Sequence, residues 1–159
     1  MLAFQETGVN PNEEPGINDD NPLAQQGYTA GQGGISGIVY NYSGQDIPFM
    51  QAMLGIEGLI ATFSGHDHGD DWCVRWDLEL SGMNLTGNGL ILCFGRHSGY
   101  GGYGSWTRGS RQIVLDQKTL AFHEVQSWVR LEDSSISGKV TLNSTFGIDK
   151  YPAVADTFT

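Results

Sequence analysis

Leu59-Ile60-Ala61-Thr62-Phe63-Ser64-Gly65-His66-Asp67-His68-Gly69-Asp70-Asp71-Trp72-Cys73 is the stretch on which the reading of the fold turns. It opens with an apolar run, Leu59 to Phe63, the pattern of a strand buried on both faces. A glycine-flanked pair of histidines follows at once. In extended backbone, residues two apart point to the same face, so His66 and His68 are expected to converge on one place. The carboxyl ends of strands are where open α/β sheets bind ligands, and imidazole is the commonest metal ligand. Asp67, Asp70 and Asp71 add negative charge, which raises metal affinity and holds ring tautomers. Gly65 and Gly69 permit tight turns. The alternative is a solvated polar turn with two surface histidines. Two histidines do not complete a catalytic centre, because zinc sites take three or four protein ligands and two-metal sites need bridging carboxylates. His97 and His123 are further candidates by position only.

Upstream, Asp46 is placed to cap a helix with Pro48 in its first turn. Phe49, Met50, Met53, Leu54 and Ile56 form its apolar stripe, and Glu57-Gly58 ends it. Helix then buried strand is a fragment of α/β architecture. Residues 5–46 read as irregular, from Asn10-Pro11, Glu14-Pro15-Gly16, Asn18-Asp19-Asp20-Asn21-Pro22 and Gly31-Gln32-Gly33-Gly34, with Ile38-Val39-Tyr40 as a short strand. A loop of that length is usually a lid, an insertion or a linker.

Downstream, Val74, Trp76, Leu78 and Leu80 alternate with Cys73, Arg75, Asp77 and Glu79, a strand with one face in and one out. Leu90 to Phe94 is a second buried strand, Gln112 to Leu115 a third and Phe122 to Leu131 a fourth, with a hairpin turn expected over Asp116 to Thr119. The tail from Ser134 alternates weakly around Val140 and Leu142. The domain reading is therefore an irregular region over 1–45, the body of the fold over 46–133 and a weakly structured tail over 134–159.

The chain has 159 residues, the size of one domain, with 23 glycines and only 16% charged residues, which favours a turn-rich, strand-rich protein. Its net charge of −10 repels a phosphate backbone, so nucleic acid is excluded as a partner unless a metal supplies positive charge. No apolar run approaches the ~20 residues of a transmembrane helix. The sequence says nothing about oligomeric state. Met1 to Glu6 lacks the basic and apolar regions of an export signal. Yet three N-x-S/T sequons, at Asn41, Asn84 and Asn143, point to a glycoprotein of the secretory pathway. Chance sequons are the alternative. The mismatch suggests that an N-terminal portion is missing. Cys73 and Cys93 could pair in an oxidising compartment or remain buried thiols, and they lack the CxxC spacing of a metal site.

Phe63 to Cys73 resembles the last metal-binding motif of calcineurin-like metallophosphoesterases, in the fungal branch similar to purple acid phosphatases. Leu92-Cys93-Phe94-Gly95-Arg96-His97-Ser98-Gly99-Tyr100-Gly101-Gly102-Tyr103-Gly104 resembles a segment found one strand later in that branch. The resemblance covers residues 45–115 and implies the C-terminal part of an α-β-β-α sandwich of α/β class, mostly strands with one helix before the histidine motif. It implies a secreted or vacuolar phosphoesterase acting on a phosphate ester through two metal ions (iron, zinc or manganese), with His66 binding one and His68 the other. A hydroxide activated by both metals attacks phosphorus, and Arg96 and His97 contact the substrate phosphate or protonate the leaving group. The tyrosine-bearing glycine loop from Gly99 to Gly104 lines the cleft.

The family's Asp-x-His, Gly-Asp-x-x-Asp and Asn-His-Glu motifs and one further histidine are absent, so the chain reads as a fragment carrying only the final ligand pair and inactive alone. Residues 5–46 then correspond to a family insertion. Cys73 and Cys93 read as a disulfide joining adjacent strands. Rival readings are a cupin-like metal-binding barrel, which needs His123 near His66, and a non-catalytic remnant.

Overall fold

The computed structural model describes residues 9–20, 28–30, 40–42, 44, 46–79 and 84–158. Ile38, Val39, Ser43, Leu80, the Gly31 to Gly34 run and the first eight residues, on which several expectations fell, lie outside them. In chain order the described elements are β1 (Tyr28–Ala30), β2 (Tyr40–Tyr42), α1 (Ile47–Leu54), β3 (Ala61–Ser64), β4 (Cys73–Trp76), β5 (Leu90–Phe94), β6 (Gly109–Val114), α2 (Gln117–Leu120), β7 (Val125–Leu131) and β8 (Ile136–Leu142). The fold is mostly β, in small sheets, with α1 before the histidine motif, consistent with α/β class.

β1 and β2 pair antiparallel with each other. The central sheet has the order β3-β5-β4, with β3 parallel and β4 antiparallel to β5. The last sheet is an antiparallel meander, β6-β7-β8. β5 is buried along its whole length because it has a neighbour on each side and clusters on both faces. Leu90, Leu92 and Phe94 pack with Trp72, Val74, Trp76 and the buried face of α1, Met50 and Met53. Ile91 and Cys93 alternate to the other side and join Val125, Val140, Leu142 and Phe146. The period of two in β5 thus feeds two cores at once.

Five local readings need correction. β3 is not a strand buried on both faces. It is an edge of the sheet among the described residues, and Phe63 is 39% exposed. β4 is shorter than its alternation suggested, because the chain turns after Trp76, and Cys73 is as buried as Val74 because a core lies on each face. Asp116 to Thr119 joins the antiparallel strands β6 and β7 as expected, but through a short helix and not a tight turn. The Asp116 side chain accepts from the backbone of Lys118 and Thr119 and caps the short α2. Asp46, in contrast, makes no side-chain cap at the start of α1. The weakly alternating tail carries a full strand, β8, whose Val140 and Leu142 are buried.

Cys73 and Cys93 stand directly opposite each other in the β4–β5 ladder and form a disulfide. The strand register delivers both sulfurs to the same side of the sheet, inside the second core.

Candidate functional site: the histidine loop

β3 and β5 run parallel and β4 returns, so the end of β3, the end of β5 and the start of β4 share one edge of the central sheet. The loop from Gly65 to Trp72 spans that edge. Gly95 N donates to the Ser64 carbonyl at 2.7 Å and Phe94 N to the Trp72 carbonyl at 2.9 Å, which tie the loop's two ends to β5.

The extended-backbone premise for the two histidines does not hold. His66 has φ 93°, in the left-handed region that a non-glycine residue rarely adopts, and its side chain is exposed. β3 has already ended at Ser64, so no strand pleat sets the direction of either ring.

His68 is held firmly. Its ring stacks between His97, at 3.8 Å between centroids, and Tyr103, at 4.0 Å. Nδ1 lies 2.9 Å from the Tyr103 carbonyl oxygen. A carbonyl can only accept, so in the neutral ring Nδ1 carries the proton and Nε2 keeps the lone pair. The glycine-rich loop makes this possible. A Cβ on Gly102, at φ 92°, would come 2.5 Å from His68 Cε1.

A segment read as a set of turn breakers straps this loop down. Asp71 N donates to the Ile17 carbonyl at 3.1 Å, and Ile17 N to Asp71 Oδ1 at 2.7 Å. Asn18 bridges Asp70, and Asp19 N donates to the Gly69 carbonyl at 3.0 Å. Asp20 Oδ2 accepts from the His68 backbone at 2.8 Å, from Gly69 at 3.3 Å and from the Tyr103 hydroxyl. Trp106 closes over Gly69 and donates to Asp19 at 2.7 Å; a Cβ on Gly69 would sit 2.6 Å from the indole. Ile17 to Asp20 was missed as part of the site because no local pattern links it to residues some fifty positions away.

The acidic residues beside the histidines are buried: Asp67, Asp70 and Asp71 are 2% exposed or less. Burial, reinforced by the charges of Asp67 and Asp20, pushes the Asp70 carboxyl up to about 8. Burial, then the bond to Asp20, pushes the Tyr103 phenol up to about 12. Burial first, and then the charges of His68 and Arg108, hold His97 below the usual imidazole range.

Arg96 and His97 are both near this loop but in different circumstances. Arg96 is buried, with Nη1 3.0 Å from Asp71 Oδ2, Nη2 2.9 Å from Thr157 Oγ1 and Nε 2.8 Å from the Thr107 carbonyl. His97 is partly exposed and stacks on His68. Of the glycine-loop tyrosines, Tyr103 stacks on His68 while Tyr100 is 84% exposed and donates to Glu132.

His123 lies apart. It lines a 490 Å³ cavity with Leu54, Ile60, Arg75 and Leu90, at the opposite edge of the central sheet from His66. The cupin-like arrangement, with His123 beside His66, is not found. Among the described residues no group of three or more His, Cys, Asp or Glu side chains is gathered to hold a metal ion. Of the carboxylates around the loop, the buried Asp71 holds Arg96 and the Ile17 backbone, and the half-buried Asp20 holds Tyr103 and two backbone amides. The residues present therefore do not fit a self-contained two-metal centre.

Two curated plant proteins resemble the chain in part. Over 97 residues it is 32% identical to the probable inactive purple acid phosphatase 29 of Arabidopsis thaliana, covering 56% of this chain and 22% of that protein. Over 84 residues it is 36% identical to the probable inactive purple acid phosphatase 14 of the same plant, covering 48% and 18%. The chain thus spans about a fifth of the length of these relatives. No protein-family model matches it, and neither does any solved structure. The partial likeness points to a metallophosphoesterase-related family.

Proposed function

We propose that this chain supplies the last histidine pair of a metallophosphoesterase-type site and does not complete that site by itself. The observation that carries the reading is the arrangement of His68. Its Nδ1 is engaged by the Tyr103 carbonyl, and its ring is fixed by two stacked neighbours, which leaves Nε2 as the ligating atom. A ring nitrogen bonded to a backbone carbonyl is the usual companion of a metal-bound histidine. His66, exposed on a left-handed backbone, is the second ligand of the pair. Strained backbone of this kind costs about 1–3 kcal/mol and collects at functional positions.

In a completed site the metals would activate water and neutralise phosphate charge. His97 is the residue of this chain best placed to meet a phosphate ester, since it is partly exposed and lies against His68. Arg96 acts indirectly, by holding Asp71 and so the loop's C-terminal end. The two plant relatives are named probable inactive purple acid phosphatases, which agrees with a chain that contributes ligands but does not turn over substrate.

The test is zinc and manganese titration of the purified chain, with hydrolysis of an aryl phosphate followed in parallel. Expected are weak metal binding, reduced in His66→Ala and in His68→Ala, and no hydrolysis above buffer. Two tightly held metals with turnover would show that the site is complete. Unchanged affinity in both variants would remove the ligand assignment.

A further inference from the structure

We infer that Asn84 carries an N-linked oligosaccharide, and that the chain folds in an oxidising, glycosylating compartment. Two independent features carry this. The first is the Cys73–Cys93 disulfide, with both residues 2% exposed or less in the second core. Disulfides of this structural kind persist in the secretory pathway and are rare where thiols are kept reduced. The second is the setting of the sequon Asn84-Leu85-Thr86. Leu85 packs against the core beside α1, whereas Asn84 and Thr86 are exposed. Leu85 thereby anchors the tripeptide and leaves the acceptor amide and the hydroxyl outward. Asn84 has φ 47°, a left-handed turn that asparagine tolerates.

Topology keeps such a glycan clear of the histidine loop. Residues 84–89 lead into the start of β5, at the end of the sheet opposite His66 and His68. Asn143-Ser144-Thr145 differs. The Asn143 side-chain oxygen accepts from Thr145 N, Thr145 Oγ1 and Phe146 N at 2.9 to 3.1 Å, and the residue is half-buried in the wall of the 490 Å³ cavity. That side chain is a turn cap beneath the fully buried Phe146. Asn41 lies in β2, and its Ser43 falls outside the described residues.

The donor is a lipid-linked oligosaccharide pyrophosphate. Asn84 Nδ2 forms a bond to the anomeric carbon as that carbon's bond to the pyrophosphate oxygen breaks. The amide loses one proton, and the lipid pyrophosphate departs.

The experiment directs the full chain into the secretory pathway of a eukaryotic host with a cleavable leader. The secreted protein is treated with peptide N-glycosidase in heavy-oxygen water, and asparagine-to-aspartate conversion is mapped by mass spectrometry. Labelled aspartate at position 84 is expected, lost in Thr86→Ala, which leaves the asparagine in place. An unlabelled Asn84 would overturn the inference, as would label at Asn143 alone. Translation into microsomes with the same leader tests the nascent chain and does not depend on folding. There Thr86→Ala should abolish one glycan-sized shift, and an unchanged pattern would again overturn the assignment.

Discussion

Asp71 and Arg96 meet at 3.0 Å with each side chain 1% exposed, so the sheet edge that carries the histidine loop is pinned by a buried ion pair. Removing one partner of such a pair leaves an uncompensated buried charge and typically costs about 3–5 kcal/mol. Arg96→Leu is therefore expected to lose stability of that order in denaturant titration. The double variant Asp71→Asn/Arg96→Leu should recover part of it, since the carboxylate left without Arg96 is gone; the recovery is partial because Arg111 also faces Asp71. If Arg96 instead served substrate, Arg96→Leu would weaken phosphate binding and leave the denaturation midpoint where it was.

Gly102→Ala should dislodge His68. The new Cβ would lie 2.5 Å from His68 Cε1, on a φ of 92° that alanine resists. The expected cost is about 1–3 kcal/mol of stability, with a change in the histidine side-chain NMR resonances. His68-dependent zinc affinity should fall by about 10- to 100-fold, the usual effect of losing a metal ligand's own support. Gly101→Ala is the control, because a Cβ there meets nothing within 4 Å. Equal effects from the two substitutions would show that the loop does not position the ring.

Asp70 makes the metal-free chain less stable as pH rises. Its carboxyl stands at about 8 when folded, against an ordinary value of 3.8, chiefly because it is buried. The folded state therefore holds a proton that the unfolded state releases across this interval. The contribution is fully present below the ordinary value and is lost as pH rises through about 8. Asp70→Asn, measured by denaturation in chelator at several pH values, should flatten that slope. A wild-type chain whose stability does not fall across the interval would contradict this.

The disulfide should contribute stability of about 3 kcal/mol, as closing a loop of this length does; the bond spans 20 positions. Cys73→Ala/Cys93→Ala should lower the denaturation midpoint accordingly. Because both sulfurs lie in the core, reductant should open the bond in the wild-type chain only at the pace of unfolding. Rapid reduction under native conditions would place the bond outside the core.

Some of the fold was legible in local pattern. The all-apolar Leu90 to Phe94 run corresponds to β5 residue for residue, whereas of the stripe Phe49, Met50, Met53, Leu54 and Ile56 only Met50 and Met53 form the buried face of α1, Phe49 and Ile56 being exposed. β3 misled, because an apolar run does not say how many neighbours a strand will have. Asp116 misled, because the residues that suit a turn also suit a helix cap.

By itself the sequence determined the apolar strand from Leu90 to Phe94, the helix ahead of the histidines and the histidine loop as the place where chemistry was expected to gather. Each of these follows from side-chain period or composition within a dozen residues. Only the tertiary structure decided the rest. It joined Asp20 to His68 and Tyr103, and Arg96 to Asp71. It set His66 on a left-handed backbone and sandwiched His68 between His97 and Tyr103. These contacts join residues 25 to 83 positions apart. For Arg96 and Asp71 burial leaves no solvent partner and obliges each to find one in the chain, and no local pattern records which distant partner any of these residues will meet.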